Sequence, residues 1–260
     1  MRIGRLAAAG AFFFVLIGVA LPLSAQNFAT DIPLPSGGSE RVLFAVPAAP
    51  YAILIMFPGA TGIVEISASG TTTNRNFLVR TLPLWVAQGF AVEVLGSPNG
   101  ASLLGQRHTP GYLVAIDRAV DFARSRANAP IWLVGTSQGS IAAANGAAHL
   151  GGKIAGLVLT SSVTRPNRSG ETVFDSEPGL IPQPALIVAN QGDTCRATPP
   201  GDAPSVAAAL ARSPRKEVVF VASDQIQSDP CEALSPHGFL GIEPAVVHRI
   251  SDWIRAAPVR

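Results

Sequence analysis

The chain has 260 residues, of which 48% are apolar and 14% are charged. This is enough apolar material for a complete hydrophobic core, which excludes an intrinsically disordered chain. Two of the 19 cations precede residue 26, where there is no acidic residue, so residues 26–260 carry 17 cations against 17 anions. A neutral chain lacks the basic surface that nucleic acids bind, which excludes that class of partner.

Residues 1–25 have the organisation of a secretory signal peptide. Two arginines are followed by an uncharged apolar run, Leu6 to Leu21, and by a short segment that ends in small residues at Ala25. A membrane anchor is the alternative, because the run approaches the length that spans a bilayer. The proline and small residues after the run favour cleavage. We predict cleavage after Ala25, a periplasmic or secreted protein, and no stable membrane anchor in the mature chain.

From residue 26 onward, a leader precedes alternating strand and helix patterns. Residues 26–40 are rich in proline, serine and glycine and are expected to form a flexible leader. Strands are predicted at 41–46, 51–57, 90–95, 130–134, 154–160, 185–189 and 217–221. Helices are predicted at 77–88, from Thr109 onward, and at 140–150, 202–212 and 243–255.

This alternation predicts an α/β fold, with a mostly parallel twisted sheet and helices on both of its faces. Strands that are buried on both faces have continuous apolar sequences, and 51–57 (YAILIMF) is such a run. Residues 161–183 interrupt the alternation, because they lack clear periodicity and are rich in Pro, Gly, Ser and charge. We therefore predict one domain over residues 41–260 with a short flap at 161–183.

Residues 135–139 read Gly-Thr-Ser-Gln-Gly, a G-x-S-x-G motif centred on Ser137. The motif alone is weak evidence, because a glycine-rich strand-to-helix turn with an incidental serine has the same pattern. Its setting is more specific, since the strand at 130–134 leads into it and a helix follows it. This is the setting of a nucleophile elbow, a sharp turn that exposes the serine hydroxyl at the edge of the sheet. Ser137 is the predicted nucleophile.

A serine nucleophile needs a base, and the chain has four histidines. His149 lies at the far end of the helix after the elbow, His248 on the predicted solvent side of the last helix, and His108 in a loop without a clear anchor. His237 lies in the loop between the last strand and the last helix. It also comes last, as the chain order Ser, acid, His requires. His237 is the predicted base.

The acid should lie between the serine and the histidine, on a loop that follows a strand. Asp193 follows the strand 185–189, at the carboxyl end of a parallel strand, where sites in open α/β sheets form. Asp175, Asp224 and Asp229 are competitors. An aspartate that only forms a turn beside Gly192 is the alternative for Asp193. Asp193 is the predicted acid.

Cys195 and Cys231 are the only cysteines. Their spacing fits neither a CxxC redox motif nor a zinc site, and export would place them in an oxidising compartment. We predict a disulfide between them, the alternative being two unrelated buried thiols. Cys195 closely follows Asp193 and Cys231 shortly precedes His237, so the bond would tie the acid loop to the base loop.

An oxyanion needs backbone donors. One is expected from the amide of Gln138, directly after the nucleophile. The other is expected from the glycine-rich loop after the strand 51–57, with Ala60 the first choice and Thr61 the second. A plain glycine turn is the alternative interpretation of that loop.

Residues 41–257 resemble the α/β-hydrolase superfamily, and more closely the small exported bacterial hydrolases of undefined substrate. The resemblance is carried by Phe57-Pro58-Gly59-Ala60, the G-x-S-x-G motif, Gly192-Asp193 and His237-Gly238-Phe239. It implies an eight-stranded, mostly parallel sheet and a Ser-His-Asp triad. The chain departs from the pattern in two places. Pro58 stands where many members have histidine, which bears on the oxyanion geometry, and the cap domain is reduced to residues 161–183, which implies an open site.

Together these features predict an exported serine hydrolase that cleaves a small-molecule carboxylic ester through an acyl-enzyme. A peptidase, amidase or acyltransferase on the same triad, and a non-catalytic exported binding protein, are the alternatives. The mechanism needs no cofactor, and the sequence shows no metal-ligand cluster. For Arg107, His108 and Glu65 two interpretations stay open: contact with the substrate, or an exposed turn, the general expectation for charges on loops.

Overall fold

A computed structural model describes residues 26–256 of the chain. The predicted signal peptide, residues 1–25, therefore lies outside the described residues. Within the described part, no helix is both long enough and apolar enough to cross a membrane.

Eight strands form one sheet in the order β1-β2-β4-β3-β5-β6-β7-β8. β2 pairs antiparallel with β1 and β4, and the other five pairs are parallel. This confirms the predicted mostly parallel sheet. The strands are β1 (Gln26–Pro33), β2 (Ser39–Val46), β3 (Ile53–Phe57), β4 (Ala91–Pro98), β5 (Ile131–Thr136), β6 (Gly156–Thr160), β7 (Ala185–Asn190) and β8 (Lys216–Val221).

Helices cover both faces of the sheet, as predicted. One apolar core lies between the sheet and α3, α4 and α5, and the other lies between the sheet and α1, α2 and α6. The helices are α1 (Phe77–Arg80), α2 (Leu82–Ala87), α3 (Pro110–Arg126), α4 (Gly139–His149), α5 (Ala203–Ala209) and α6 (Glu243–Arg255). The fully buried strands β3, β5, β6 and β7 lie between the two cores, which explains their continuous apolar sequences.

The prediction of a flexible leader at residues 26–40 is wrong, because most of this segment is strand. β1 pairs along its whole length with β2 at the edge of the sheet. Ile32 and Leu34 are buried in the core that also contains α3. Two prolines and two glycines hide the alternation of Phe28, Ile32 and Leu34 in the sequence. Pro33 is tolerated because β1 is an edge strand, and one side of an edge strand needs no hydrogen bonds to a neighbouring strand.

The single helix predicted at 77–88 is divided into α1 and α2 at Thr81. Pro83 lies in the first turn of α2, where its missing amide hydrogen costs no hydrogen bond, whereas inside a continuous helix it would break one. Thr81 stabilises the junction, since its hydroxyl donates to the carbonyl of Phe77 and accepts from the indole nitrogen of Trp85.

Residues 161–183, the predicted flap, contain two short 3-10 turns that lie against α4. Val163, Val173 and Ile181 in this segment are fully buried. The hydroxyl of Ser176 donates to the carbonyl of Ile141 in α4 (2.8 Å). The segment is thus packed into the domain through its own apolar side chains.

Candidate active site

The parallel strands bring three predicted loops to one edge of the sheet. β3, β5 and β7 run in the same direction and end at Phe57, Thr136 and Asn190. The predicted oxyanion loop, the G-x-S-x-G motif and the predicted acid each follow one of these ends. This edge is where open α/β sheets bind their ligands.

Ser137 lies in the sharp turn between β5 and α4. Its φ is +52°, in the left-handed region that a non-glycine residue rarely adopts. Its amide donates to the carbonyl of Thr160 at the end of β6 (3.0 Å) and its carbonyl accepts from the amide of Ser140 (2.9 Å). The backbone of the elbow is therefore held in this conformation by its neighbours, as strained functional turns require.

Steric crowding explains why the motif has glycine at both ends. A Cβ on Gly139 would overlap the carbonyl oxygen of Phe57 in β3, and a Cβ on Gly135 would overlap the carbonyl oxygen of Gly139. Because the start of α4 packs directly against both β3 and β5, neither position accepts a side chain. The structure thus has the strand-turn-helix geometry that the motif predicted.

The predicted acid and base are in direct contact. Nδ1 of His237 lies 2.9 Å from Oδ2 of Asp193, and both side chains are buried, with 6% and 1% exposed. The other carboxylate oxygen, Oδ1, accepts from the amide of Cys195 (2.8 Å). The hydroxyl of Ser161 donates to the carbonyl of His237 (2.8 Å). This hydrogen bond ties the turn that contains His237 to the end of β6.

The competing residues lie elsewhere. Asp175 caps its own 3-10 turn through Thr172, and Asp224 and Asp229 are exposed. Among the other histidines, His149 pairs with Glu177 (3.0 Å) and His248 pairs with Asp252 on the surface of α6 (3.3 Å).

Thr198 joins the site, although the sequence did not single it out. Its hydroxyl lies 2.8 Å from Oδ2 of Asp193 and 3.0 Å from Nδ1 of His237. No motif marks it, because it follows Asp193 through an irregular loop whose folding alone brings it back to the carboxylate.

Ser137 and His237 line one cavity of about 210 Å³. Most of the rest of its wall comes from the predicted oxyanion loop Pro58–Ala60, from Ile63, from Asn74–Phe77 before and at the start of α1, and from Cys231–Ala233. The segment 161–183 does not line this cavity.

The predicted disulfide between Cys195 and Cys231 is present, with a Cα–Cα distance of 4.7 Å. It joins the loop that carries Asp193 to the segment that leads into the turn of His237. Donor atoms of Asp193, Cys195 and His237 come within 4.8 Å of one another. This group suits no metal ion, because the Cys195 sulfur is bonded to Cys231 and the other two side chains bond each other.

The amides predicted to hold an oxyanion are free. Those of Gln138, Ala60 and Thr61 donate no hydrogen bond to any group of residues 26–256. Ala60 has φ +50°, and the loop closes in a turn from the amide of Gly62 to the carbonyl of Gly59 (3.0 Å). A Cβ on Gly59 would come within 2.9 Å of Cβ of Ser137, so this loop approaches the nucleophile closely.

The structure distinguishes the three charged residues that the sequence left open. Arg107 is buried, which corrects the expectation of an exposed turn, and its guanidinium contacts backbone carbonyls of the loop that contains Ala60. His108 is partly exposed and pairs with the buried carboxylate of Glu171 (2.7 Å). Glu65 is exposed and lines a different cavity from that of Ser137.

No protein-family model and no curated protein matches the sequence. Several solved structures have a similar fold. An esterase from an Arctic intertidal metagenomic library is 14% identical, with a TM-score of 0.62 over 88% of this chain and 94% of that one. Est1E from Butyrivibrio proteoclasticus, solved with ferulic acid, is 14% identical, with a TM-score of 0.62 over 87% and 98%. A dienelactone hydrolase from Anabaena variabilis is 13% identical, with a TM-score of 0.61 over 89% and 98%.

Proposed function

Because the chain has the α/β-hydrolase fold, we propose that it is a serine hydrolase that cleaves carboxylic esters, with Ser137 as nucleophile, His237 as base and Asp193 as acid. One observation carries this proposal: a serine in a left-handed elbow opens onto the same cavity as a histidine whose Nδ1 is bonded to a buried carboxylate. The esterases among the similar structures support an ester substrate.

The contact between Asp193 and His237 selects the tautomer that the reaction needs. A carboxylate only accepts hydrogen bonds, so Nδ1 of His237 must carry the proton. Nε2 is then unprotonated and able to accept the proton of Ser137. When it does, the buried carboxylate of Asp193 stabilises the imidazolium.

The reaction then proceeds in two halves. Oγ of Ser137 attacks the ester carbonyl while Nε2 of His237 takes its proton, and the oxyanion is bound by the free amides of Gln138 and Ala60. The C–O bond to the alcohol breaks as His237 returns the proton to the leaving oxygen. Water, deprotonated by the same nitrogen, hydrolyses the acyl-enzyme and restores Ser137.

The proposed enzyme acts outside the cytoplasm. The disulfide supports this location, because such bonds persist in oxidising compartments and are rare in the cytosol. We infer a periplasmic or secreted enzyme that is released from its signal peptide after Ala25.

Labelling with a fluorophosphonate probe tests the nucleophile. The folded protein should form one adduct, on Ser137, and the Ser137→Ala variant should form none. Ser205→Ala, an exposed serine on α5, is the matched control and should label fully. A folded protein without an adduct on Ser137 contradicts the proposed function. A panel of p-nitrophenyl esters beside the corresponding anilide then separates esterase from amidase activity.

A further inference from the structure

A second and larger cavity, of about 680 Å³, lies beside the cavity of Ser137. Its wall is formed by the segment 63–73 after β3, by the carboxyl end of β4 and by the facing ends of β1 and β2. Ile63 lines both cavities, and its side chain is 40% exposed. We call this second cavity the side cleft. An extended ligand whose ester group lies at Ser137 can therefore reach the side cleft by passing over Ile63.

The side cleft is almost neutral, and its wall combines apolar surface with polar side chains. Its charged side chains are Asp31, Arg41 and Glu65, and the first two pair with each other (3.1 Å). Most of its other polar side chains carry hydroxyl or amide groups, namely Ser39, Ser67, Thr72, Thr73, Ser97 and Asn99. Such a wall does not suit a strongly anionic group, because its one arginine is already paired with Asp31.

Several of these groups have no partner in the protein. Ser97 is 5% exposed, and its hydroxyl makes no hydrogen bond within the described part of the chain. The amides and carbonyls of residues 64–66, which are extended along the cleft, also make none there. A ligand with closely spaced hydroxyls is able to supply the hydrogen bonds that these groups lack within the protein.

We propose that the side cleft binds the alcohol part of the ester, and that this part is a neutral, polyhydroxylated group such as a sugar. This inference rests on the proposed function, since it assigns the remainder of the same substrate. Ile63 supplies the apolar contact between the reacting ester and the hydroxyl-binding wall.

The experiment compares three acetate esters: an acetylated methyl glycoside, cyclohexyl acetate of similar size, and small p-nitrophenyl acetate. We expect kcat/KM for the glycoside to exceed that for the cyclohexyl ester at least tenfold, the equivalent of about one good hydrogen bond. Thr73→Trp, at an exposed position in the cleft, should remove this preference and lower kcat/KM for the glycoside far more than for p-nitrophenyl acetate. Ser205→Trp on α5 is the control for an added surface tryptophan and should alter neither.

Binding to the Ser137→Ala variant, measured by calorimetry, separates this proposal from the proposed function. Saturable binding of the acetylated glycoside, weakened by Thr73→Trp, supports the side cleft even if no ester is hydrolysed. Absence of such binding, equal turnover of the glycoside and cyclohexyl esters, or preferential binding of a blocked peptide overturns it.

A second inference rests on a different observation, the burial of Arg107. Its side chain is 1% exposed. Its guanidinium donates to the backbone carbonyls of Ala60 (3.0 Å), Leu103 (3.4 Å) and Pro58 (3.5 Å), and it forms no salt bridge within residues 26–256. The carbonyl of Arg107 itself accepts from the side chain of Asn145 in α4 (3.0 Å).

Burial of an arginine with no carboxylate partner is costly, and burial lowers the pKa of the Arg107 guanidinium. Nη2 donates to the carbonyls of Pro58 and Ala60, while Nη1 donates to the carbonyl of Leu103 and so fixes the guanidinium plane. Bonds to the carbonyls of Pro58 and Ala60 hold the peptide groups before and after the Gly59–Ala60 peptide, which carries the amide of Ala60, and so support its left-handed φ of +50°. The positive charge also lies behind the loop that faces the oxyanion.

We infer that Arg107 is a positioning residue for the oxyanion loop. Arg107→Lys keeps the charge and one or two donors but loses the fork, so kcat should fall by roughly 10-fold to 100-fold, less than for loss of an oxyanion donor itself, with KM little changed. Arg215→Lys, an arginine stacked on Trp253 at the other edge of the sheet, is the control and should keep full kcat.

The distinguishing measurement is the affinity for a boronic acid, which becomes tetrahedral on Ser137. In Arg107→Lys this affinity should fall by the same factor as kcat/KM, because both depend on the oxyanion donors. If Arg107 only stabilises the fold, Arg107→Lys should lower the melting temperature and leave the boronate affinity of the folded protein unchanged. That result, in a folded variant, would overturn the inference.

Discussion

The hydroxyl of Thr198 lies 3.0 Å from Nδ1 of His237 and donates to the carboxylate oxygen of Asp193 that His237 also contacts. Asp193 is therefore held by two donors on one oxygen and by a backbone amide on the other. Thr198 is in this way able to fix both the carboxylate plane and the ring orientation without touching the substrate.

Thr198→Val removes the hydroxyl and keeps the side-chain shape. We expect kcat to fall about tenfold, the loss of one charge-assisted hydrogen bond, while Thr198→Ser keeps most of the activity. Steady-state kinetics on p-nitrophenyl acetate measure both. If the serine variant is as impaired as the valine variant, the methyl group and not the hydroxyl is what matters.

The proposed triad should behave as a unit. Ser137→Ala and His237→Ala should each abolish nearly all turnover, and the double variant should lose little more, because each residue acts through the other. Asp193→Asn should retain more activity than either, with a loss of about 10⁴-fold that reflects the wrong tautomer. Multiplicative losses in the double variant would contradict the shared mechanism.

The disulfide should affect catalysis as well as stability, because it joins the loops of Asp193 and His237. Replacing both cysteines with serine should lower the free energy of unfolding by about 3–4 kcal/mol on the chain-entropy model. It should also lower kcat while the variant is fully folded, since a shift of about 1 Å in a catalytic group is able to cost about 10²-fold.

The measurement is kcat of this Cys195→Ser, Cys231→Ser variant about 20 °C below its own melting midpoint, a wide margin against a shift of a few degrees per kcal/mol. An unchanged kcat at that temperature would show that the disulfide acts only by restraining the unfolded chain. The intact protein should contain no titratable thiol after denaturation.

A buried pair of carboxyls should make stability depend on pH. Burial raises the pKa of Glu40 from 4.5 to about 8, and burial together with Glu40 raises the pKa of Glu93 well above its usual value. Tyr112 is the other buried titratable group coupled to Glu40. Between pH 4.5 and about 8 the folded state therefore binds more protons than the unfolded state.

The free energy of unfolding should thus be largest below the unfolded pKa and should fall as the pH rises through this window, by up to about 1.4 kcal/mol per pH unit and group. Urea unfolding at pH 5 and pH 8 measures the difference. Glu40→Gln should make the decline shallower, whereas Glu65→Gln, at an exposed site, should leave it unaltered. An equal decline in all three proteins would show that Glu40 ionises normally.

The sequence by itself determined the alternation of elements, the elbow at Ser137, the pairing of Asp193 with His237 and the disulfide. Each has a local signal: apolar runs of strand length, glycines where a strand turns into a helix, and loops that directly follow strands. Once these strands are parallel, their carboxyl ends meet at one edge, so the loops of Asp193 and His237 come to the same edge of the sheet.

Only the tertiary structure decided the rest. β1 escaped notice because its prolines and glycines interrupt the alternation, and its pairing with β2 supplies the stabilisation that its local sequence lacks. Thr198 and Arg107 carry no motif, since a hydroxyl or a guanidinium acquires a role only from the groups that surround it. Those groups come from loops far apart in the chain, and burial, which makes an unpaired guanidinium costly and each of its hydrogen bonds strong, exists only after the chain has folded.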